Sequence, residues 1–181
     1  MIKRILFFTL LIATSCKTSK LPPDKAMEKL GANPYFEIDG QPVNQNDLAK
    51  YNPTDIASLT TYYNKEAINR FGEKAKDGAL TIETKTFATN KYESLFKTFS
   101  IDYEKMIKET NKGEIQYILN DRILTENFEG DLASLNNKLL KEIKIINQNE
   151  LFNKFQIQDK KVGVIIRANR PKNVYNSKAK F

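Results

Sequence analysis

The amino-acid sequence predicts an α+β fold in which two copies of one strand-helix-strand-helix-strand unit pack together, joined by a helical segment. Three observations lead to this prediction. Short runs of β-branched and aromatic residues are separated by polar turn pairs, the middle of the chain has apolar residues at helical spacing, and the same order of elements occurs twice. The chain has 181 residues, 40% of them apolar and 28% charged, a composition typical of a folded protein.

The first fifteen residues have the order of charged and apolar residues that is typical of a secretory signal peptide. Lys3 and Arg4 precede a short apolar run from Ile5 to Ala13. A helix of that length is too short to cross a hydrocarbon core of about 30 Å. We therefore assign residues 1–15 to a signal peptide and not to a transmembrane helix.

Cys16, the single cysteine of the chain, follows directly on this signal. Together with Ala13, Thr14 and Ser15 it resembles a bacterial lipobox, in which the cysteine receives a diacylglyceryl group and becomes the new amino terminus; Ala13 stands where the pattern usually has leucine. Buried acyl chains contribute about 0.8 kcal/mol per methylene group, so two or three of them hold a protein on a membrane. The resemblance implies lipid attachment at Cys16 and a place at the bacterial outer membrane, facing the periplasm or the surface. The alternative is cleavage that leaves a free thiol.

Residues 16–32 are expected to be a polar tether stiffened by Pro22-Pro23, and residues 33–86 are expected to form the first unit, called repeat A here. Its elements follow from turn pairs, β-branched runs and helix caps. They are a strand at 35–38 before the turn pair Asp39-Gly40, a helical turn at 46–50, a strand at 56–63, a helix at 65–71 capped by Asn64 and stopped by Gly72, and a strand at 79–84 after Asp77-Gly78.

Residues 87–113 are expected to be a helical connector. Two groups of apolar residues have the spacing of one helix face, and Ser100 is a suitable N-cap between them. Aromatic stripes line some ligand grooves, but at helical spacing they are far more typical of a core. The stripes are Tyr92, Leu95, Phe96 and Phe99 in the first helix and Tyr103, Met106 and Ile107 in the second.

Residues 114–170 repeat the same order of elements and form repeat B, which is followed by a basic tail at 171–181. The polar turn pair of this unit is Asn120-Asp121, and its last strand is the apolar run at 162–166, which predicts a strand covered on both faces. Units of about 60 residues are marginal alone, so the two are expected to share a core. The matched segments are 35–43 with 116–124, 55–59 with 142–146 and 64–85 with 147–169, in which Phe71 corresponds to Phe155 and Gly78 to Gly163.

The positive charge is concentrated at the carboxyl end. Residues 141–181 contain ten lysine or arginine residues and three acidic ones, whereas residues 16–140 contain 17 and 19. A solvated tail explains this excess, and attraction to anionic lipid, glycan or an acidic partner is the alternative. Nucleic acid is not expected as a partner, because a secreted lipoprotein rarely meets it.

Two segments of repeat A carry a resemblance to a known family. They read YFEIDGQPV at 35–43 and NPTDIASLTTYYNKEAINRFGEKAKDGALTIETK at 52–85. These segments resemble the plug domain of TonB-dependent outer-membrane receptors of the Bacteroidota type, with Phe71-Gly72 in place of a Tyr-Gly pair and Ala75 in place of a turn glycine; repeat B shows the pattern only weakly. The resemblance implies a small α/β fold in an envelope setting. It does not imply transport, because too few residues remain for a barrel of at least eight strands of about ten residues each.

The composition excludes several kinds of active site. The chain has no histidine and one cysteine, which excludes Ser-His-Asp and Cys-His triads and the usual zinc sites. Asp39 and Asp55 are the candidate carboxylate pair for hydrolysis or for Ca²⁺, but each lies in a turn where aspartate bonds its own backbone. Residues 72–78 lack the Gly-Lys-Ser/Thr of a phosphate loop, and Tyr62-Tyr63 is expected to pack within the fold.

We therefore predict no catalytic residue, no cofactor and no metal. The predicted protein is a lipoprotein, anchored through Cys16, that binds a protein, peptide or glycan partner in the envelope without catalysis. An open sheet edge would allow a partner to add a strand. The alternatives are a glycan hydrolase that works with carboxylates alone and a structural spacer.

Overall fold

The computed structural model describes residues 27–171. The protein is α+β, with one four-stranded sheet in each predicted repeat and two helices between the sheets, which confirms the predicted fold class. The predicted signal peptide, Cys16, most of the tether and residues 172–181 lie outside the described residues. No helix within 27–171 has both the length and the apolar character that a membrane crossing requires.

Repeat A contains β1 (Tyr35–Ile38), β2 (Gln41–Val43), β3 (Ile56–Tyr62), α1 (Asn64–Phe71) and β4 (Ala79–Thr84), with short 3-10 helices at Gln45–Lys50, Pro53–Asp55 and Glu73–Ala75. Its strand order is β2-β1-β4-β3. β1 is antiparallel to β2 and parallel to β4, and β3 is antiparallel to β4. Asp39 and Gly40 both have positive φ, 51° and 79°, as a type I′ hairpin requires, so the predicted turn pair closes the β1–β2 hairpin.

The connector forms α2 (Lys85–Phe99) and α3 (Ile101–Glu109). α2 begins two residues before the expected boundary, because the Thr84 hydroxyl caps it by accepting from the backbone N–H of Phe87 at 3.2 Å. Ser100 caps α3 as predicted, by accepting from the N–H of Tyr103 at 3.2 Å. The predicted stripes are only partly in the core: Tyr92, Phe96, Tyr103 and Met106 are buried, whereas Phe99 is 39% exposed.

Repeat B has the same topology as repeat A. It contains β5 (Ile115–Leu119), β6 (Arg122–Ile123), α4 (Glu129–Ala133), β7 (Leu140–Asn147), α5 (Gln148–Phe155) and β8 (Val162–Ala168), after a 3-10 turn at Lys112–Glu114. The strand order β6-β5-β8-β7 matches that of repeat A, with the same parallel central pair and the same two antiparallel outer pairs. Asn120 and Asp121 have φ of 48° and 67° and close the β5–β6 hairpin as predicted.

Two irregular features are duplicated along with the topology. β3 has a register shift between Ile56 and Ser58, and β7 has one between Leu140 and Glu142. In both repeats the first turn residue also bonds the end of the central strand. Asp39 Oδ1 accepts from the N–H of Thr84 at 2.7 Å, and Asn120 Oδ1 accepts from the N–H of Ala168 at 3.0 Å.

The strand registers correct three details of the sequence comparison. Ile38 and Leu119 each directly precede the turn pair; Ile38 pairs with Ile82, and Leu119 pairs with Ile166. Ile82 and Ile166 are therefore equivalent, and counting back along the two strands makes Gly163 correspond to Ala79 and Val162 to Gly78. By the same registers, the residue of repeat B that is equivalent to Ile56 is Leu140 and not Ile143. The match of Phe71 with Phe155 is confirmed, because each ends a helix of eight residues.

Two local expectations for repeat A were wrong. Asn64 does not cap α1: the N-cap residue is Tyr63, which makes no side-chain cap bond, and Asn64 itself has a φ of 49°. Packed structure also begins before Asn33. The side chain of Leu30 packs against the core of the first sheet, and the N–H of Gly31 donates to the carbonyl of Asp77 at 2.7 Å.

The two sheets differ in how their faces are covered. One face of the second sheet packs against α2 and α3 through Tyr117, Leu119, Val164 and Ile166, and the other packs against α5 through Ile118 and Ile165. Strand β8 is therefore covered on both faces, as predicted. In the first sheet, one face forms a core of Phe36, Ile38, Leu80 and Ile82. The opposite face is apolar only beside α1, where Ala67, Ala75 and Ala79 pack together.

Candidate binding edge of the second sheet

The two aspartates that the sequence offered as a carboxylate pair have structural surroundings. Both oxygens of Asp39 are engaged with Thr84: Oδ1 accepts from its backbone N–H at 2.7 Å and Oδ2 from its hydroxyl at 2.8 Å. Asp55 is exposed at the end of a 3-10 turn that leads into β3. Within residues 27–171, no three or more cysteine or acidic side chains come together as a metal-binding group.

The glycine-containing loop and the tyrosine pair also have structural roles. Gly72 ends α1 with a φ of 79°, a short 3-10 helix follows, and Gly78 turns the chain into β4 with a φ of 93°. Tyr62 packs edge-on against Phe71, with ring centroids 5.3 Å apart. The Tyr63 hydroxyl accepts a bond from Thr61 Oγ1 at 2.9 Å.

A cluster of polar groups lies in the core beneath α2 and α3. The hydroxyl groups of Tyr103 and Tyr117 are 2.9 Å apart, and burial raises the pKa of both phenols well above the usual range. Glu93, the one acidic residue that is buried among those described, has Oε1 2.5 Å from the Lys112 ammonium. This ion pair ties α2 to the segment before β5. Tyr103, Tyr117 and Glu93 lie among the packed side chains of repeat B and the two helices, and neither of the two depressions described below is lined by them.

Two depressions in the surface of residues 27–171 are too small for a usual small-molecule site. Their volumes are near 190 and 200 Å³, below the range of about 300 to 1,000 Å³ that is usual for such sites. The first is lined by Gln148, Asn149, Phe152 and Gln158, and the second by Lys29, Gly31, Tyr63, Asn64, Lys76, Asp77 and Gly78. Recognition through an extended surface, such as the edge of a sheet, needs no such pocket.

The sheet edges differ strongly in length. β2 has three residues, one of them Pro42, which has no N–H to donate, and β6 has two. The other two edges are long, with seven residues in β3 and eight in β7. Only these long edges offer enough peptide groups to pair with an added strand.

Part of the β3 edge is covered by repeat B. Gly130 in α4 lies so close to the carbonyl oxygen of Ala57 that a Cβ at this position would overlap it. Beside this contact, the Lys85 ammonium donates to Asn127 Oδ1 at 2.7 Å. Ala57 is the extra residue at the register shift of β3, so the chain itself occupies this edge where the strand bulges.

The β7 edge presents peptide groups that the chain does not use. The N–H of Asn169 points towards β7, because it donates to the carbonyl of Leu139 at 2.8 Å. Every second residue of β8 before it points the same way, and the residues of β7 that pair with these are Glu142, Lys144 and Ile146. The peptide groups of these three residues therefore point towards β8. The peptide groups of Ile143 and Ile145 point away from β8. Within residues 27–171 they have no hydrogen-bond partner, so water must satisfy them.

The side chains of β7 combine charge with apolar surface. Lys141, Glu142 and Lys144 are exposed, and Ile143 and Ile145 are half-buried. Ile143 and Ile145 lie on the face that packs against α3, whereas Glu142 and Lys144 lie on the face of α5. We call the outward peptide groups of Ile143 and Ile145, with the exposed side chains beside them, the β7 edge.

The chain matches no family model, no curated protein and no solved structure. What the fold and the candidate site define is a class: a duplicated α+β protein whose second sheet has an open edge strand. The resemblance of repeat A to receptor plug domains remains a prediction.

Sequence reasoning anticipated an open edge but did not identify the strand. The segment that forms β7 has the alternation of charged and β-branched residues that an edge strand needs. That alternation alone does not reveal an edge, because the position of a strand within a sheet depends on pairing between residues far apart in sequence.

Proposed function

We propose that this protein is a lipoprotein of the bacterial outer membrane, anchored through Cys16, that acts as an interaction module without catalysis. Its partner is a protein that contributes an extended strand to the β7 edge. Main-chain bonds to Ile143 and Ile145 supply affinity, and side chains at alternate positions supply specificity.

The observation that carries this proposal is the pair of outward peptide groups, without a partner in the described residues, on an eight-residue edge strand. An exposed edge of this length promotes aggregation unless it is protected or used. The equivalent strand of repeat A is partly covered by the chain itself at Ala57. The engagement of both Asp39 oxygens with Thr84 favours this proposal over a carboxylate hydrolase.

Site-specific photo-crosslinking in intact cells tests the proposal. A photoreactive amino acid replaces Lys144 on β7 in one variant and Thr60 on β3 in the other. These positions are equivalent in the two repeats, and both are exposed. We expect a discrete protein adduct from position 144 and little from position 60. Absence of an adduct at 144, or equal adducts at both positions, would contradict the proposal.

The anchor is tested separately with Cys16→Ser. The expected result is loss of lipid labelling and of membrane retention, because serine lacks the thiol that forms the thioether to the lipid. A variant that is still labelled with fatty acid and still retained in the membrane would exclude Cys16 as the attachment site.

A further inference from the structure

We propose that the strand added at the β7 edge is β7 of a second molecule of this protein. The two strands run antiparallel about a twofold axis that passes between the Ile143 residues of the two molecules. This inference rests on the proposed function, because it names the partner that the same edge receives.

The direction of the free peptide groups limits the possible registers. In a twofold antiparallel pair, outward-facing residues must lie opposite outward-facing residues. Ile143 and Ile145 are the outward residues in the middle of β7. The pair is therefore centred on Ile143, on Ile145 or between them at Lys144.

Charge distinguishes these registers. Centring on Ile143 places Glu142 of each molecule directly opposite Lys144 of the other, so two opposite-charge pairs form on the face of α5. Centring at Lys144 places two lysines directly opposite each other, which is destabilising. Centring on Ile145 places Lys144 opposite the buried Ile146 and forms no charge pair.

Within the described part of one molecule, the charges needed for this pairing are not held in ion pairs, although Glu142 interacts electrostatically with the nearby Arg167. Neither Glu142 nor Lys144 takes part in an ion pair there. Glu142 lies across from Arg167 in the β7–β8 ladder, but the guanidinium of Arg167 is held by both carboxylate oxygens of Asp121, at 2.5 and 2.7 Å. On the opposite face, the half-buried side chains of the two Ile143 residues would meet and lose their remaining contact with water.

The pairing joins two four-stranded sheets into one sheet of eight strands. The order across the interface is β6-β5-β8-β7 followed by the same strands of the second molecule in reverse. Such an isologous contact closes on itself and stops at two molecules. It also satisfies the outward peptide groups of Ile143 in both molecules, which removes the open edge that a monomer exposes.

Charge reversal with full-length protein tests the inference. Two differently tagged forms are co-expressed, solubilised in mild detergent and purified through one tag, and the recovery of the other form is measured. Glu142→Lys in both forms places lysine opposite lysine twice, and Lys144→Glu in both places glutamate opposite glutamate twice. Each change is expected to weaken pairing about tenfold or more, because two attractive pairs become repulsive at once.

Complementary combinations provide the decisive comparison. Glu142→Lys in one form and Lys144→Glu in the other restore two opposite-charge pairs, as does the double variant Glu142→Lys/Lys144→Glu in both forms. Recovery near the wild-type level is expected in both cases. Lys65→Glu on α1 is the control for a change of surface charge away from the edge, since Lys65 is exposed in repeat A, and it should leave pairing unchanged.

The possible outcomes separate this inference from the proposed function. Wild-type forms that do not co-purify, or complementary variants that fail to recover, overturn pairing with a second molecule. If the photoreactive residue at 144 then captures a different protein, the proposed function stands and only the partner is wrong. Absence of any adduct at 144, together with wild-type forms that do not co-purify, contradicts both.

Discussion

Repeats A and B have the same strand order, the same bulge and the same turn-to-strand bond, yet their sheets are buried differently. On the face that α5 covers in repeat B, the central strands carry Ile118 and Ile165. The equivalent positions of repeat A, by strand register, are Glu37 and Thr81, which are half-buried. The comparison shows that turns and register bonds define this topology. Whether the second face of the sheet is buried can differ between the repeats without changing it.

The two repeats also differ in the residues through which the helix packs against the central strand. In repeat A, Ala67 of α1 packs near Ala79 of β4, and both are fully buried. Repeat B has Leu151 of α5 and Gly163 of β8 at these positions. The larger helix residue is thus accompanied by the smaller strand residue, which leaves room for the leucine side chain against the strand.

Exchanging the central residues between the repeats is expected to give the largest effect on stability. Ile118→Glu places a carboxylate at a fully buried position and is expected to lower the free energy of unfolding by about 4 kcal/mol or more. Glu37→Ile makes the reverse exchange at a half-buried position and is expected to change it by less than about 1 kcal/mol. Denaturant titration of both variants measures the difference. Equal losses would mean that the second faces of the two sheets are alike.

Gly163→Ala is expected to have an intermediate effect. A Cβ at this position would lie 2.7 Å from Ile146 and 2.9 Å from Leu151, and overpacking of this kind costs about 1 to 3 kcal/mol. Adding Leu151→Ala recreates the pair found in repeat A, so the loss in the double variant should be smaller than the sum of the two single losses. Gly113→Ala, where a Cβ meets nothing within 4 Å, is the control and should change stability by less than about 0.5 kcal/mol. Strict additivity of the two core changes would contradict the proposed packing.

The smallest expected effect concerns an ion pair that repeat A does not have. Asp121 bonds Arg167 in repeat B, whereas the equivalent residues of repeat A are Gly40 and Glu83. The bond from Arg167 lowers the pKa of Asp121 below 3.8. Its stabilisation is therefore fully present above that value and is lost as the pH falls through the lower pKa of the folded state. Asp121→Asn should reduce stability slightly at pH 6 and by less at pH 2; denaturation midpoints at both pH values check this, and an equal reduction at both would contradict it.

The sequence predicts those parts of the fold that depend on residues close together in the chain. Asp39-Gly40 and Asn120-Asp121 were identifiable because tight hairpins need residues that tolerate positive φ. The Ser100 cap and the strand at 79–84 were likewise local. The alignment of the repeats failed at Ile56 and at Gly78 because similar residue types do not fix the register of a strand, which is set by pairing across the sheet.

The sequence predicted the kind of candidate site, a binding site, but not its position in the fold. The lack of histidine and the turn positions of Asp39 and Asp55 favoured binding over catalysis. The sequence did not indicate which strand would be open, because the coverage of β3 depends on Gly130, more than 70 residues along the chain from Ala57. Long-range contacts of this kind decide which of two equivalent edges remains available.

Amide hydrogen exchange at Ile143 tests the central claim most directly. The rate is compared between full-length wild-type protein and the Glu142→Lys variant, with the amide of Lys144, which bonds β8 within one molecule, as the internal reference. We expect Ile143 to exchange slowly in the wild type, where a second β7 accepts its N–H, and fast in the variant, while Lys144 stays slow in both. Fast exchange of Ile143 in both proteins would show that no strand is added, and slow exchange in both would contradict a pairing that depends on Glu142.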